Sequence, residues 1–259
     1  MKITRSRIIK RVLLAVVCFV FFGCATTAND ERDPYEGWNR GVQSFNDSAD
    51  EYFIKPVAEG YQWITPSFVD QGVTNVFNNI RDIRVMLNDL FQFKFNQGGS
   101  DFTRFLINST LGVAGLFDVA TELEFERHDE DFDQTLGAWG MPTGPYLVLP
   151  FLGPSSARGA VGLAGDAVAN PLFYIDFPAV TLGLTALDYL DQRADNLSSS
   201  RIVDEAALDR YEFFRDAYLQ RREYLVYDGN PPFEEDDMLD DDFEDDSELD
   251  EQPEESPEQ

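Results

Sequence analysis

Residues 157–189 (ARGAVGLAGDAVANPLFYIDFPAVTLGLTALDY) form a 33-residue run with a single base, Arg158, and three acids, Asp166, Asp176 and Asp188. A bilayer-crossing helix needs about 20 consecutive apolar residues with few or no charges. Here an acid interrupts the run repeatedly and prolines stand at Pro171 and Pro178, so no window qualifies. The run is also too apolar and too long for one surface helix of a water-soluble domain. What remains is a set of short apolar helices lying in a membrane interface, with polar side chains turned toward a wet interior. Asp166, Asn170, Asp176 and Asp188 are the candidates for that lining; helix caps and loop edges are their alternative role.

The preceding stretch, LGAWGMPTGPYLVLPFLGPSS (136–156), is rich in turn formers. Gly137, Gly140 and Gly144, with Pro142, Pro145, Pro150 and Pro154 around Tyr146, predict a stiff loop that turns sharply and exposes backbone. In a transport protein such a loop rims or gates a pore; otherwise it is a buried structural turn. Gly137, Gly140, Gly144, Pro145 and Tyr146 are therefore candidate channel or rim residues.

The N-terminus limits where the chain acts. Residues 1–23 hold a basic start (Lys2, Arg5, Arg7, Lys10, Arg11) and an apolar core, VLLAVVCFVFFG, before Cys24. This pattern predicts a secretory signal peptide, too short to span as a helix. Gly23-Cys24 resembles a lipobox, although Phe21 stands where Leu is usual. Cys18 leaves with the signal, so the mature chain has one cysteine and forms no internal disulfide. Cys24 is thus the expected lipidation site, and residues 24–32 a lipidated tether. Ala25, rather than Asp, favours the outer membrane by the bacterial sorting rule.

At the other end, residues 231–259 predict a disordered acidic tail. Its last 26 residues carry 16 of the 48 acids and no base, too little apolar surface to offset ordering entropy. The rest of the mature chain keeps 32 acids against 15 bases. Such a domain is a poor nucleic-acid binder, since phosphate contacts need clustered Lys and Arg. Charge will not hold it on anionic lipid either, which leaves apolar insertion and the anchor.

Between these ends the periodicity is helical. Asp33-Pro34 predicts a cap and first-turn proline ahead of Tyr35, Trp38, Val42 and Phe45 at helical spacing. From Pro66 to about Phe95, Val69, Val73, Val76, Phe77, Ile80, Ile83, Leu87, Leu90 and Phe91 step by three and four, an amphipathic helix. Gly98-Gly99 is expected to end it, with Ser100 or Asp101 capping a helix over 101–121. A closing helix is expected over 203–225, starting at Asp204. Alternating strand patterns are almost absent, so the fold class is mainly α.

DPYEGWNR with Phe45-Asn46, TRFLINSTLGVAGLFDVA (103–120), TLGAWGMPTGPYLVLPFLGPSSAR (135–158) and RREYL (221–225) follow one another in order after Cys24. Together they resemble the MlaA (VacJ) family of outer-membrane lipoproteins over roughly residues 24–228. The resemblance implies a 33–230 helical domain built as a ring of in-plane amphipathic helices around a central amphipathic channel. It implies a protein anchored by lipid on Cys24 to the periplasmic leaflet of the outer membrane. It further implies removal of mislocalised phospholipids from the outer leaflet to maintain lipid asymmetry. The implied partners are a trimeric porin and an MlaC-like periplasmic lipid carrier that leads to an inner-membrane ABC transporter.

Two other classes compete. A phospholipase lacks support: no G-x-S-x-G elbow is present, and the chain's one histidine, His128, lies in a charged run. One His and one mature Cys cannot build HExxH or paired CxxC zinc sites, and the acids near His128 fit no EF-hand spacing. No catalytic residue, metal ligand or cofactor is expected. A structural scaffold lipoprotein is the remaining alternative, but it has no need of the long Gly/Pro-rich apolar segment.

Overall fold

The computed structural model describes residues 30–200 and 209–232. The signal segment, Cys24, the acidic tail from 233 and the expected helix start at Asp204 lie outside the described residues. Within them the chain is mainly α. Helix α1 (Glu36–Ala49) runs through a π-helical turn (Asp50–Ile54) into α2 (Lys55–Ile64). The long α3 (Ser67–Phe91) and α4 (Phe95–Thr110) follow, then the short α5 (Val119–Glu122) and α6 (Phe132–Ala138). A hairpin of β1 (Tyr146–Leu149) and β2 (Gly153–Ser156) leads into α7 (Ala157–Ala169) and a 3-10 turn (Pro171–Tyr174). Then come α8 (Pro178–Asp195) and α9 (Arg210–Val226).

Helix starts follow side-chain chemistry. Asp118, Asp131, Ser156, Asn170 and Asp209 each accept a hydrogen bond from a first-turn amide of α5, α6, α7, the 3-10 turn and α9, respectively. These bonds satisfy donors that a helix start leaves open. Helix α3 packs along α4, α8 packs on α2 and α3, α6 packs on α7, and α9 closes against α6 and β2. Helix α1 lies on β1.

Four local expectations need correction. Asp33 does not cap α1; it is fully buried and accepts from Asn39 Nδ2 at 2.8 Å and from the Tyr211 hydroxyl. Gly98-Gly99 does not end α3, which stops at Phe91; both glycines lie inside α4. A Cβ at Gly98 would stand 3.1 Å from Asp89 Cβ, so the glycine lets α4 approach α3 closely. Asp101 is accordingly a buried helix residue rather than a cap, and the helix stops at Thr110, not 121. Beyond it Val113, Ala114 and Gly115 take positive φ (54°, 58° and 88°), which no helix sustains. Finally, α9 begins at Arg210 under the Asp209 cap. The Gly/Pro-rich loop contains an antiparallel hairpin, paired from Tyr146↔Ser156 to Leu149↔Gly153, that alternation did not reveal.

Burial is inverted relative to a water-soluble globule. Asp33, Asn39, Asp89, Asp101 and Arg104 are fully buried, and Asp82, Asn88, Asn108 and Asp191 nearly so. Large apolar side chains face outward: Trp63 is 87% exposed, Phe68 77%, Phe93 75% and Leu182 71%. The apolar core shrinks to small clusters, one around Val42, Tyr146, Val148 and Tyr211, another around Ala58, Ala194 and Leu197. A buried polar group or an exposed apolar patch is the informative departure from ordinary burial, and this protein shows both throughout. Among the described residues no helix is long and apolar enough to cross a membrane.

Candidate functional site: a polar interior

The interior is assembled on α3. Asn79, Asp82, Asn88 and Asp89 recur at helical spacing on its buried face, with Arg81 and Arg84 flanking them. Helix α4 presents Asp101, Arg104 and Asn108 at the same spacing, so the two helices meet through polar stripes. The Arg104 guanidinium donates to both Asp118 oxygens at 3.1 Å, and Asn108 Nδ2 adds 2.9 Å to the same carboxylate. Burial pushes Asp118 up, but hydrogen bonds from Thr121 and Asn108 and the charge of Arg104 outweigh it and hold the carboxyl low. Buried charge survives only when compensated in this way.

Where compensation is thinner, the carboxyls titrate high. Burial pushes Asp82 up to about 6 against the pull of Arg127 and Arg104. Asp89 rises to about 8, first from burial and then from the Asp101 carboxyl beside it. Asp101 also meets His128 Nδ1 at 2.9 Å, so the lone histidine is engaged with this pair. Among the described residues no group of three His, Cys, Asp or Glu side chains is placed to hold a metal ion.

Four cavities lie beside these charged groups, and some share a wall residue. One of about 230 Å³ lies between α3, the 3-10 turn and α8, with Arg81, Arg84, Asn170 and Asp188 in its wall. Arg81 also lines a second, of about 330 Å³, with Arg127 and His128. Across from Arg84, at 3.7 Å, Asp166 lines a third of about 180 Å³ with Asp131, Asp133 and Arg222. Leu152 borders that one and a fourth of about 250 Å³ beside Tyr189 and Arg193. The Arg222 guanidinium grips Asp131 with two bonds of 2.7 and 2.8 Å and also meets Asp133, which Arg158 Nε reaches at 2.7 Å. Burial raises Asp131, but the Arg222 hydrogen bonds outweigh it and lower its pKa. Charged side chains thus border each of these cavities, in a molecule that exposes many large apolar side chains.

The residues singled out from sequence fall into three groups. Asp166 is buried among polar partners, accepting from Phe132 N at 3.0 Å and Asn88 Nδ2 at 3.3 Å, and burial raises its pKa. Asn170 caps the 3-10 turn and also lines the first cavity, so its two anticipated roles coexist. Asp188, in the same cavity, takes 3.0 Å from Arg81 Nη2. Asp176 is exposed in the turn before α8, away from these walls.

Gly137, Gly140, Gly144, Pro145 and Tyr146 sit apart from the cavity walls, whereas Pro154 lines the third cavity. Gly140 and Gly144 take positive φ (86° and 68°) in the loop that leads into β1, a conformation glycine adopts without strain. At Gly137 a Cβ would meet Val226 of α9 at 2.7 Å, and the Pro145 carbonyl accepts from Ala157 N at 3.1 Å. Tyr146 is fully buried, and its carbonyl accepts from Asn39 Nδ2 at 3.0 Å.

Sequence reading missed Arg81, Arg84, Arg222, Asp131 and Asp133 as lining residues. The available signal was the polar stripe on α3, which shares the period of the apolar one but was assigned to the outside.

Comparison with known proteins gives a concordant picture. Residues 31–225 match the family model described as MlaA lipoprotein. The intermembrane phospholipid transport system lipoproteins MlaA of Shigella flexneri and Escherichia coli are each 32% identical over 244 residues. The match covers 88% of this chain and 96% of each relative. A solved structure reported as the structural basis for maintenance of bacterial outer membrane lipid asymmetry superposes with a TM-score of 0.67 at 30% identity. It covers 75% of this chain and 98% of that one.

Proposed function

The chain belongs to the MlaA lipoprotein family, and from that premise we propose that it transports phospholipid at the outer membrane to maintain lipid asymmetry. The observation that carries this reading is the inverted burial: charged residues such as Arg104 and Asp101 lie inside while Trp63 and Phe68 lie outside. A charged headgroup crosses hydrocarbon cheaply only along a polar path, and a polar interior inside an apolar shell supplies one. The helices lie in the plane of the inner leaflet, with the exposed aromatic and aliphatic side chains in lipid.

On this reading lipid on Cys24 anchors the protein to the periplasmic leaflet, residues 33–230 form the transport domain, and 231–259 trail as a solvated tail. The cavities mark the route for the headgroup, with Asp166 and Asn170 in its wall and the Gly137–Tyr146 turn bracing the hairpin whose Leu149 and Pro154 border it. Lipid moves out of the outer leaflet toward a periplasmic carrier and on to an inner-membrane ABC transporter, with a trimeric porin holding the protein in place. Family resemblance supports these partners and this direction. The protein acts by positioning lipid and catalyses no bond change.

Deleting the gene tests the proposal. Outer-leaflet phospholipid and detergent sensitivity rise in the deletant and return to normal when the chain is restored. Unchanged asymmetry in the deletant favours the scaffold role instead.

A further inference from the structure

We propose that the cavity between α3, the 3-10 turn and α8 is a headgroup site selective for zwitterionic glycerophospholipid. Phosphate sits on Arg84 and Arg81, and a primary ammonium on Asp188. The inference rests on the phospholipid-transport reading and adds to it a lipid class and a binding site.

Arg84 carries the argument. Its guanidinium forms part of the cavity wall but makes no hydrogen bond among the described residues. Its Nε is buried without a partner. Its nearest acid, Asp166, stands at 3.7 Å, beyond hydrogen-bond range. A guanidinium presents five donors in a fork that matches phosphate oxygens, so a cavity walled by an unspent one is a place for an oxyanion. Arg81, one turn away, widens the site.

Asp188 supplies the opposite pole. Arg81 Nη2 (3.0 Å) and Gln192 Nε2 (2.9 Å) both donate to its Oδ1, and Oδ2 receives no donor among the described residues. The Arg81 and Asp188 side chains keep 29% and 26% of their exposure, so a ligand can reach both. An ammonium donates three hydrogen bonds and suits a half-satisfied carboxylate.

Charge balance selects the class. Arg81 and Arg84 face Asp188 and Asp166, so the site has no large excess of either sign. A zwitterionic headgroup pairs both of its charges there. An anionic headgroup such as that of phosphatidylglycerol offers Asp188 hydroxyl donors but no positive charge, and it adds negative charge to a chain already at −28. The cavity volume of about 230 Å³ suits a headgroup rather than a whole lipid. Phe77, Ile80 and Leu172 complete the wall, and Phe173 and Phe177 nearby are 62% and 70% exposed, an apolar surface for the acyl chains.

The test uses the full lipidated chain in detergent, incubated with equal amounts of phosphatidylethanolamine and phosphatidylglycerol, re-isolated, and its retained lipid measured by mass spectrometry. The wild type retains phosphatidylethanolamine over phosphatidylglycerol by about fivefold, the scale of one partly exposed charge-assisted contact. Asp188→Asn brings the ratio toward one without lowering total lipid. Arg84→Gln lowers retention of both lipids, and Arg84→Lys restores part of it. Gln192→Glu puts a second carboxylate beside Asp188 in place of an amide donor and raises the ratio, a readout independent of whether Asp188→Asn folds. Lipid retained without preference, or a ratio unmoved by Asp188→Asn and by Gln192→Glu, overturns the site and leaves the transport reading standing. A wild type that retains no lipid overturns both.

Discussion

Asn39 and Tyr146 lie 107 positions apart, and the Asn39 side-chain amide donates to the Tyr146 carbonyl oxygen at 3.0 Å. The same amide group donates to Asp33 at 2.8 Å and accepts from Val148 N at 2.8 Å. One fully buried side chain therefore ties α1 to the hairpin strand and shields a buried carboxylate. Asn39→Leu strands three polar partners at once, each worth about 1–3 kcal/mol when left unsatisfied. The variant loses about 3 kcal/mol of stability or more. Denaturant unfolding in detergent measures it, and an unmoved midpoint contradicts the assignment.

Arg222 is the counter-ion of two interior acids, Asp131 and Asp133, and its side chain is only 12% exposed. Arg222→Met leaves Asp131 in a poorly solvated interior without its counter-ion, a loss of about 3–5 kcal/mol, while Asp133 keeps Arg158. Adding Asp131→Asn recovers part of that loss, because the unpaired charge then disappears. If the double variant is no more stable than the single one, charge compensation is not what Arg222 provides.

Stability depends on pH with a sign set by the α3 carboxyls. Burial raises Asp82 to about 6 and Asp89 to about 8. Both hold protons in the fold at pH values where the unfolded chain has released them. Their contribution is complete below about pH 4 and is lost as pH rises through 6 and 8. Asp118 and Asp131 are held low, so their contribution is lost as pH falls below about 4. The thermal midpoint should fall between pH 5 and pH 8, and Asp89→Asn should reduce that fall. An equal fall in the variant would count against it.

The exposed aromatic side chains act on lipid rather than on the fold. Trp63 and Phe68 are 87% and 77% exposed, so Trp63→Ser and Phe68→Ser change stability by no more than about 0.5 kcal/mol. In a Cys24→Ala background, which removes the proposed acyl anchor, each weakens vesicle binding by roughly tenfold, given about 1.5–3 kcal/mol per inserted side chain. Flotation with neutral vesicles reports it. Undiminished binding in the double variant would place these residues outside the membrane.

Much of the helical layout is legible in the sequence, and so is the absence of a spanning helix. The α3 pattern ends within a few residues of its true boundary, because a three-four period survives whatever surrounds the helix. The sense of the period does not survive. Asp82 and Asp89 look like an outer face in water, and only neighbours such as Arg104 and Arg127, distant in the chain, turn that face inward. Gly98-Gly99 reads locally as a stop, but a close helix–helix approach uses the same residue type. Tyr146–Leu149 alternates in burial, but all four residues are apolar, so the sequence shows no alternation. The lining residue Asp166 was recognisable as an acid in an apolar run, whereas Arg84 sits in an ordinary amphipathic pattern and becomes visible only once α8 is placed beside it.

The outward-facing Trp63, Phe68, Phe93 and Leu182 also bear on biogenesis. A surface so greasy cannot stay dispersed in an aqueous compartment, since contiguous apolar area drives molecules together. Water alone is therefore a poor resting place for the folded chain, and a covering of hydrocarbon or of another protein is what keeps copies of it apart.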